Sequence, residues 1–172
     1  MTWAVRVLGA ALVLTGCEGA PTPVRDPAPP LQTDTLSYPL HRDEVGYRAT
    51  IPFTYRNETG DSVFLANCRG DVRPGLEVLR DGKWYEAWAP YTDPCTSSPV
   101  VIPPGGGYGD TLRVFGAPPG SNVLPTFVFP EVEGVYRLVW IHAYRVYDAD
   151  SPEDAQRLPL QQRVSNAFAL VR

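Results

Sequence analysis

Two short apolar runs, Leu76-Glu77-Val78-Leu79 and Lys83 to Trp88, meet at Asp81-Gly82 in the middle of the chain. An Asp-Gly pair accepts the positive φ angles of a type I′ turn, whose twist matches that of two antiparallel strands. This stretch therefore predicts a β-hairpin, and Cys68 and Cys95 bracket it. Elsewhere the same grammar recurs. Tyr47, Ala49, Ile51, Phe53 and Tyr55 alternate with Arg48, Thr50, Pro52, Thr54 and Arg56, the period-two pattern of a strand with one buried face. Pro52 cannot donate to a ladder and marks a sheet edge or bulge.

Further strand candidates are Thr35 to Tyr38, Ser62 to Cys68, Val100 to Ile102, Thr111 to Phe115, Val135 to Tyr144 and Val164 to Val171. Val135 to Tyr144 is apolar in both registers apart from Arg137 and His142, as expected of a central strand covered on both faces. Residues 116–130 are rich in Pro and Gly and carry no clear element. No long segment holds a helical period, and strands recur about every 10 to 15 residues with turns between them. That spacing predicts an all-β sandwich of about 7 to 9 antiparallel strands.

The N-terminal part of the chain reads differently. Arg6 and the apolar run Val7 to Leu14 form a signal peptide, too short to span a bilayer. Leu14-Thr15-Gly16-Cys17 resembles the lipobox of bacterial lipoprotein precursors. That resemblance implies cleavage after residue 16 and acylation of Cys17, with palmitate-like chains anchoring the protein in a membrane. At about 0.8 kcal/mol per buried CH₂, two or three chains hold firmly where one would not. The implied address is the cell envelope, at the outer membrane if the cell has one.

With Cys17 used, Cys68 and Cys95 are the remaining thiols in an oxidising compartment, and the expectation is that they pair. The 26 intervening residues would give a chain-entropy stabilisation of about 3 to 4 kcal/mol. Residues 17–33 carry five prolines, Pro21, Pro23, Pro27, Pro29 and Pro30, and read as an extended tether of roughly 50 Å. The expected domain order is signal peptide 1–16, lipidated linker 17–33 and β-sandwich 34–172.

Losing Arg6 with the signal leaves 14 basic against 19 acidic residues. A net negative chain without clustered Lys and Arg is a poor ligand for nucleic acid. His41 and His142 are the sole imidazoles, and neither a nucleophile elbow nor a metal-binding helix motif occurs, so no catalytic residue, metal or cofactor is assigned. Asp148, Asp150, Glu153 and Asp154 cluster, but Ser151-Pro152 interrupts any calcium-loop spacing, and the cluster reads as a solvated loop. Arg69-Gly70-Asp71 is too short a motif to carry a function. Trp84, Tyr85, Trp88 and Tyr91 form the candidate binding surface, since rigid aromatic faces stack on sugars or receive a partner's side chain. Strict alternation would place Trp84 and Trp88 on one face and Tyr85 on the other.

Several pieces together resemble the bacterial immunoglobulin-like domains of exported proteins: Tyr55 to Gly60, the Leu76 to Trp84 hairpin, Ile102-Pro103-Pro104-Gly105, Gly134 to Leu138 and Val164 to Phe168. The resemblance implies an immunoglobulin-like β-sandwich and brings no catalytic residues. The function expected is a non-enzymatic, lipid-anchored module that binds an envelope protein or serves as a structural accessory. The alternatives are a glycan-binding lipoprotein and a proteinase-inhibitor-like β-domain.

Overall fold

The computed structural model describes residues 28–90, 97–147 and 154–172. Cys17, the signal peptide and most of the linker lie outside these residues, as do Tyr91, Cys95, Asp148, Asp150 and Glu153. The fold is an all-β sandwich with no α-helix among the described residues. Its strands are β1 (Leu31–Thr33), β2 (Ser37–Pro39), β3 (His41–Arg42), β4 (Tyr47–Arg56), β5 (Val63–Leu65), β6 (Gly75–Arg80) and β7 (Lys83–Trp88). They continue as β8 (Val100–Ile102), β9 (Gly107–Gly116), β10 (Gly134–Val139), β11 (Ala143–Val146), β12 (Gln156–Arg157) and β13 (Phe168–Val171). These are more segments than the expected 7 to 9, because several edges are made of two- or three-residue pieces.

Strands β4 and β9 pair antiparallel along ten residues, from Tyr47 opposite Gly116 to Arg56 opposite Gly107. On the other side of β4, β1 covers Phe53 to Tyr55 and β3 covers Tyr47 and Arg48. Arg56 N–H donates to the Pro30 carbonyl, so the N–H groups of even-numbered β4 residues face that side. Pro52, which has none to offer, falls in the gap between β1 and β3. The expected edge signal is therefore met by a gap in an otherwise paired strand.

A five-stranded sheet runs β2-β13-β10-β6-β7, with β2 parallel to β13 and the other pairs antiparallel. A third sheet runs β12-β11-β5-β8. All three contribute to one core: Ile51, Phe53 and Tyr55 from β4, Val63 and Leu65 from β5, Leu76 and Val78 from β6, and Tyr136 and Leu138 from β10 are each at most 2% exposed. The predicted alternation along β4 holds at every position from Tyr47 to Tyr55.

Two expectations are corrected. The chain enters the sheet before residue 34: Leu31 is fully buried and β1 pairs with β4, because this lone leucine among prolines finds a core site opposite Tyr55. Val135 to Tyr144 is not one strand. It breaks at 140–142, so that β10 joins the five-stranded sheet while β11 pairs with β5. At the break Trp140 N–H bonds to the Arg163 carbonyl and the His142 carbonyl accepts from Ala66. Being apolar in both registers thus serves two sheets in succession rather than two faces of one.

Candidate functional site

The Leu76–Trp88 hairpin forms as its turn signal requires: Asp81 and Gly82 take φ of 49° and 74°. The facing of its aromatics departs from strict alternation. Leu76 pairs with Trp88, yet Glu77 pairs with Glu86, so Ala87 is an extra residue in a β-bulge. The bulge puts Trp84 and Trp88 on opposite faces. Trp88, opposite the inward Leu76, is 3% exposed, and its indole N–H donates to the Phe115 carbonyl at 3.0 Å, tying β7 to β9. Trp84, opposite the outward Leu79, is partly exposed and lies beneath the Arg137 guanidinium, 4.5 Å from the ring centroid.

Arg137 also forms an ion pair with Glu77 at 2.6 Å, both side chains being mostly covered. One face of the Trp84 ring is therefore already in use within the protein. Tyr85 follows the inward register opposite Val78 but sits on an edge strand, 43% exposed, with its ring edge-on to Phe129 at 6.1 Å. Val128 N–H caps the Ala87 carbonyl, covering that end of the edge. Tyr91, the fourth candidate, lies outside the described residues. The four aromatics are thus not brought together as a single stacking platform.

Cys68 stands in a tight turn with Asp71, the two exchanging N–H···O bonds of 3.1 and 3.0 Å. Arg69 and Gly70 take positive φ at its tip. The Asp71 carboxylate is held by Arg73, so the Arg-Gly-Asp tripeptide does not present a free aspartate. This turn is stitched to the segment that follows Cys95: Asn67 Nδ2 donates to the Ser98 carbonyl at 2.6 Å and Arg69 N–H to Ser97 Oγ at 2.9 Å.

His142 is exposed in the turn between β10 and β11, not packed within a strand, with Nδ1 3.1 Å from the Tyr144 hydroxyl. Partial desolvation and then the nearby Arg157 charge lower its pKa. No group of three or more His, Cys, Asp or Glu side chains suited to a metal occurs among the described residues.

Two features were not read from the sequence. The Tyr136 hydroxyl donates to the Val132 carbonyl at 2.5 Å, an i to i−4 bond that fixes the corner where the chain enters β10. Nothing in the local run Gly134-Val135-Tyr136 specifies that bond. The second is Asn57, fully buried at the end of β4, whose Nδ2 donates to the carbonyls of Asp61 and Ile102 while its Oδ1 accepts from Thr59. Its backbone exchanges bonds with Gly105 and Gly106, so one side chain fixes two turns. A buried asparagine must satisfy these groups, but its polar type alone placed it in a turn cluster.

No family model matches the sequence, and no curated protein matches it.

Proposed function

We propose that this is a non-enzymatic, lipid-anchored module of the cell envelope, carrying an immunoglobulin-like domain that engages a partner protein or acts as a structural accessory. The observation that carries this reading is the use of the hairpin tryptophans inside the protein: Trp88 is core and Trp84 is roofed by Arg137. Exposed coplanar rings, which a glycan platform needs, are absent from the described part of the hairpin. The immunoglobulin-like assignment is supported by the sheet order β2-β13-β10-β6-β7 with its parallel first pair, and by the Tyr136 corner at the start of β10. The lipid anchor rests on the Leu14 to Cys17 motif.

A Cys68–Cys95 disulfide belongs to the same proposal. It is supported by the hydrogen bonds that hold residues 67–69 against Ser97 and Ser98. Cys95 is two residues from Ser97, which limits their Cα separation to about 7 Å. Site-specific photocrosslinking in the native envelope tests the role. A crosslinker at Val135, 40% exposed on the outer face of β10, is expected to yield one discrete adduct with another envelope protein. A lipoprotein that gives no adduct from this face would defeat the partner-binding half of the proposal.

One observation favours a second reading, proteinase inhibition. Val123 and Leu124 are 59% and 65% exposed, at the tip of a loop pinned by Ala117 N–H to Pro125, Phe127 N–H to Ala117 and Ser121 N–H to Pro118. A rigid loop with an exposed apolar pair is what a proteinase cleft accepts. Inhibition of an elastase- or chymotrypsin-type proteinase that is abolished by Leu124→Glu would favour this reading, and an inert wild-type protein would discard it.

A further inference from the structure

At the end of the sandwich opposite the β2–β3 entry of β4, the strands β1, β4 and β9 leave an open cleft of about 380 Å³. Its walls are Pro30 and Gln32 from the β1 side, Thr54, Tyr55 and Arg56 from β4, and the Gly105–Gly107 turn. Arg56 is the sole charged residue of the lining. It is exposed, and no ion pair to it occurs among the described residues, whereas Arg48, on the same face of β4, is paired with Asp43.

β9 is bare beside the cleft: Gly107, which lines it, lies opposite Arg56, and Gly109, just beyond the lining, lies opposite Thr54. Gly105 needs its φ of +72° for the turn, and a Cβ on Gly106 would stand 2.9 Å from the Pro103 carbonyl. Neither reason applies to Gly109, whose Cβ would meet only ordinary contacts at 3.7 Å. Glycine inside a strand weakens it and marks a place where something approaches the backbone closely. The floor is held in position by Asn57, whose backbone exchanges bonds with Gly105 and Gly106.

We infer that this cleft binds the carboxylate of a hydroxylated ligand, a uronic acid. A single guanidinium presents a planar fork that fits one carboxylate bidentately, and the site has no second cation for a polyphosphate. The Thr54 hydroxyl and the Gln32 carboxamide, whose Nε2 makes one bond to the Pro29 carbonyl, supply neutral donors and acceptors for sugar hydroxyls. Pro30 offers a small apolar wall for a ring face. This site is separate from the Leu76–Trp88 hairpin, and its failure would leave the proposed role of that hairpin untouched.

The test is a chemical-shift titration of the full chain in detergent micelles, following the amides of Gly105 to Gly107. Sodium glucuronate is expected to shift them with a dissociation constant on the order of 1 mM, and glucose is not. Arg56→Gln should weaken glucuronate binding by about fivefold or more, Arg56→Lys less, and Arg113→Gln, on the same face of the sheet, should leave it unchanged. Absence of a shift, equal binding of glucose, or equal loss in Arg113→Gln would overturn the site. N-acetylalanine binding as tightly as glucuronate would overturn the preference for a hydroxylated acid.

Discussion

Buried tyrosine hydroxyls couple the stability of this domain to alkaline pH. Burial pushes the pKa of Tyr136 up to about 12, and burial together with the Glu58 charge does the same for Tyr55. In the unfolded chain a tyrosine loses its proton near pH 10. Between about pH 10 and 12 the unfolded state therefore binds fewer protons than the folded state, and stability falls as pH rises. The stabilisation is intact below pH 10, so urea midpoints should hold to that pH and then decline. Tyr136→Phe is expected to reduce the slope of that decline. At neutral pH the same variant should cost roughly 1 to 3 kcal/mol, since the buried Val132 carbonyl loses its donor. A variant as stable as wild type at pH 7 would show that the corner bond contributes nothing net.

Among the elements, the hairpin and β9 show how one residue decides what a strand presents. Without the bulge at Ala87, alternation would have put Trp84 and Trp88 on one face; with it, one tryptophan locks two sheets together and the other lies under Arg137. Two glycines of β9 make a matching contrast. A Cβ on Gly116 would stand 2.7 Å from the Phe127 ring and 3.0 Å from Trp88, while one on Gly109 finds room. Gly116→Ala should lose about 1 to 3 kcal/mol by overpacking, and Gly109→Ala should be neutral or gain up to about 1 kcal/mol from strand propensity. Thermal unfolding of the two variants side by side checks this, and equal midpoints would refute the packing account. The hairpin itself was legible from Asp81-Gly82. The bulge was not, because nothing local in Glu86-Ala87-Trp88 distinguishes it; it satisfies the burial of Trp88 against β9, a contact 27 residues away in sequence.

For the whole molecule, the proposed staple acts on the unfolded chain. The turn at Cys68 and the segment at Ser97 and Ser98 are already hydrogen-bonded, so a bond to Cys95 would demand little rearrangement. Cys68→Ser with Cys95→Ser should lower stability by about 3 to 4 kcal/mol, with wild type falling to the same midpoint under reductant. A wild type insensitive to reductant would exclude the bridge. From sequence alone came the class of the fold, the hairpin, and the inward set along β4, because each depends on near neighbours: a turn's φ preference or a period of two. Tertiary structure decided where β10 ends and β11 begins, which tryptophan is core, and that Leu31 belongs to the sheet rather than the tether. It also decided that Gly107 and Gly109 face Arg56 and Thr54. Those outcomes depend on pairing and packing between residues far apart in the chain, and local residue preference carries no information about them.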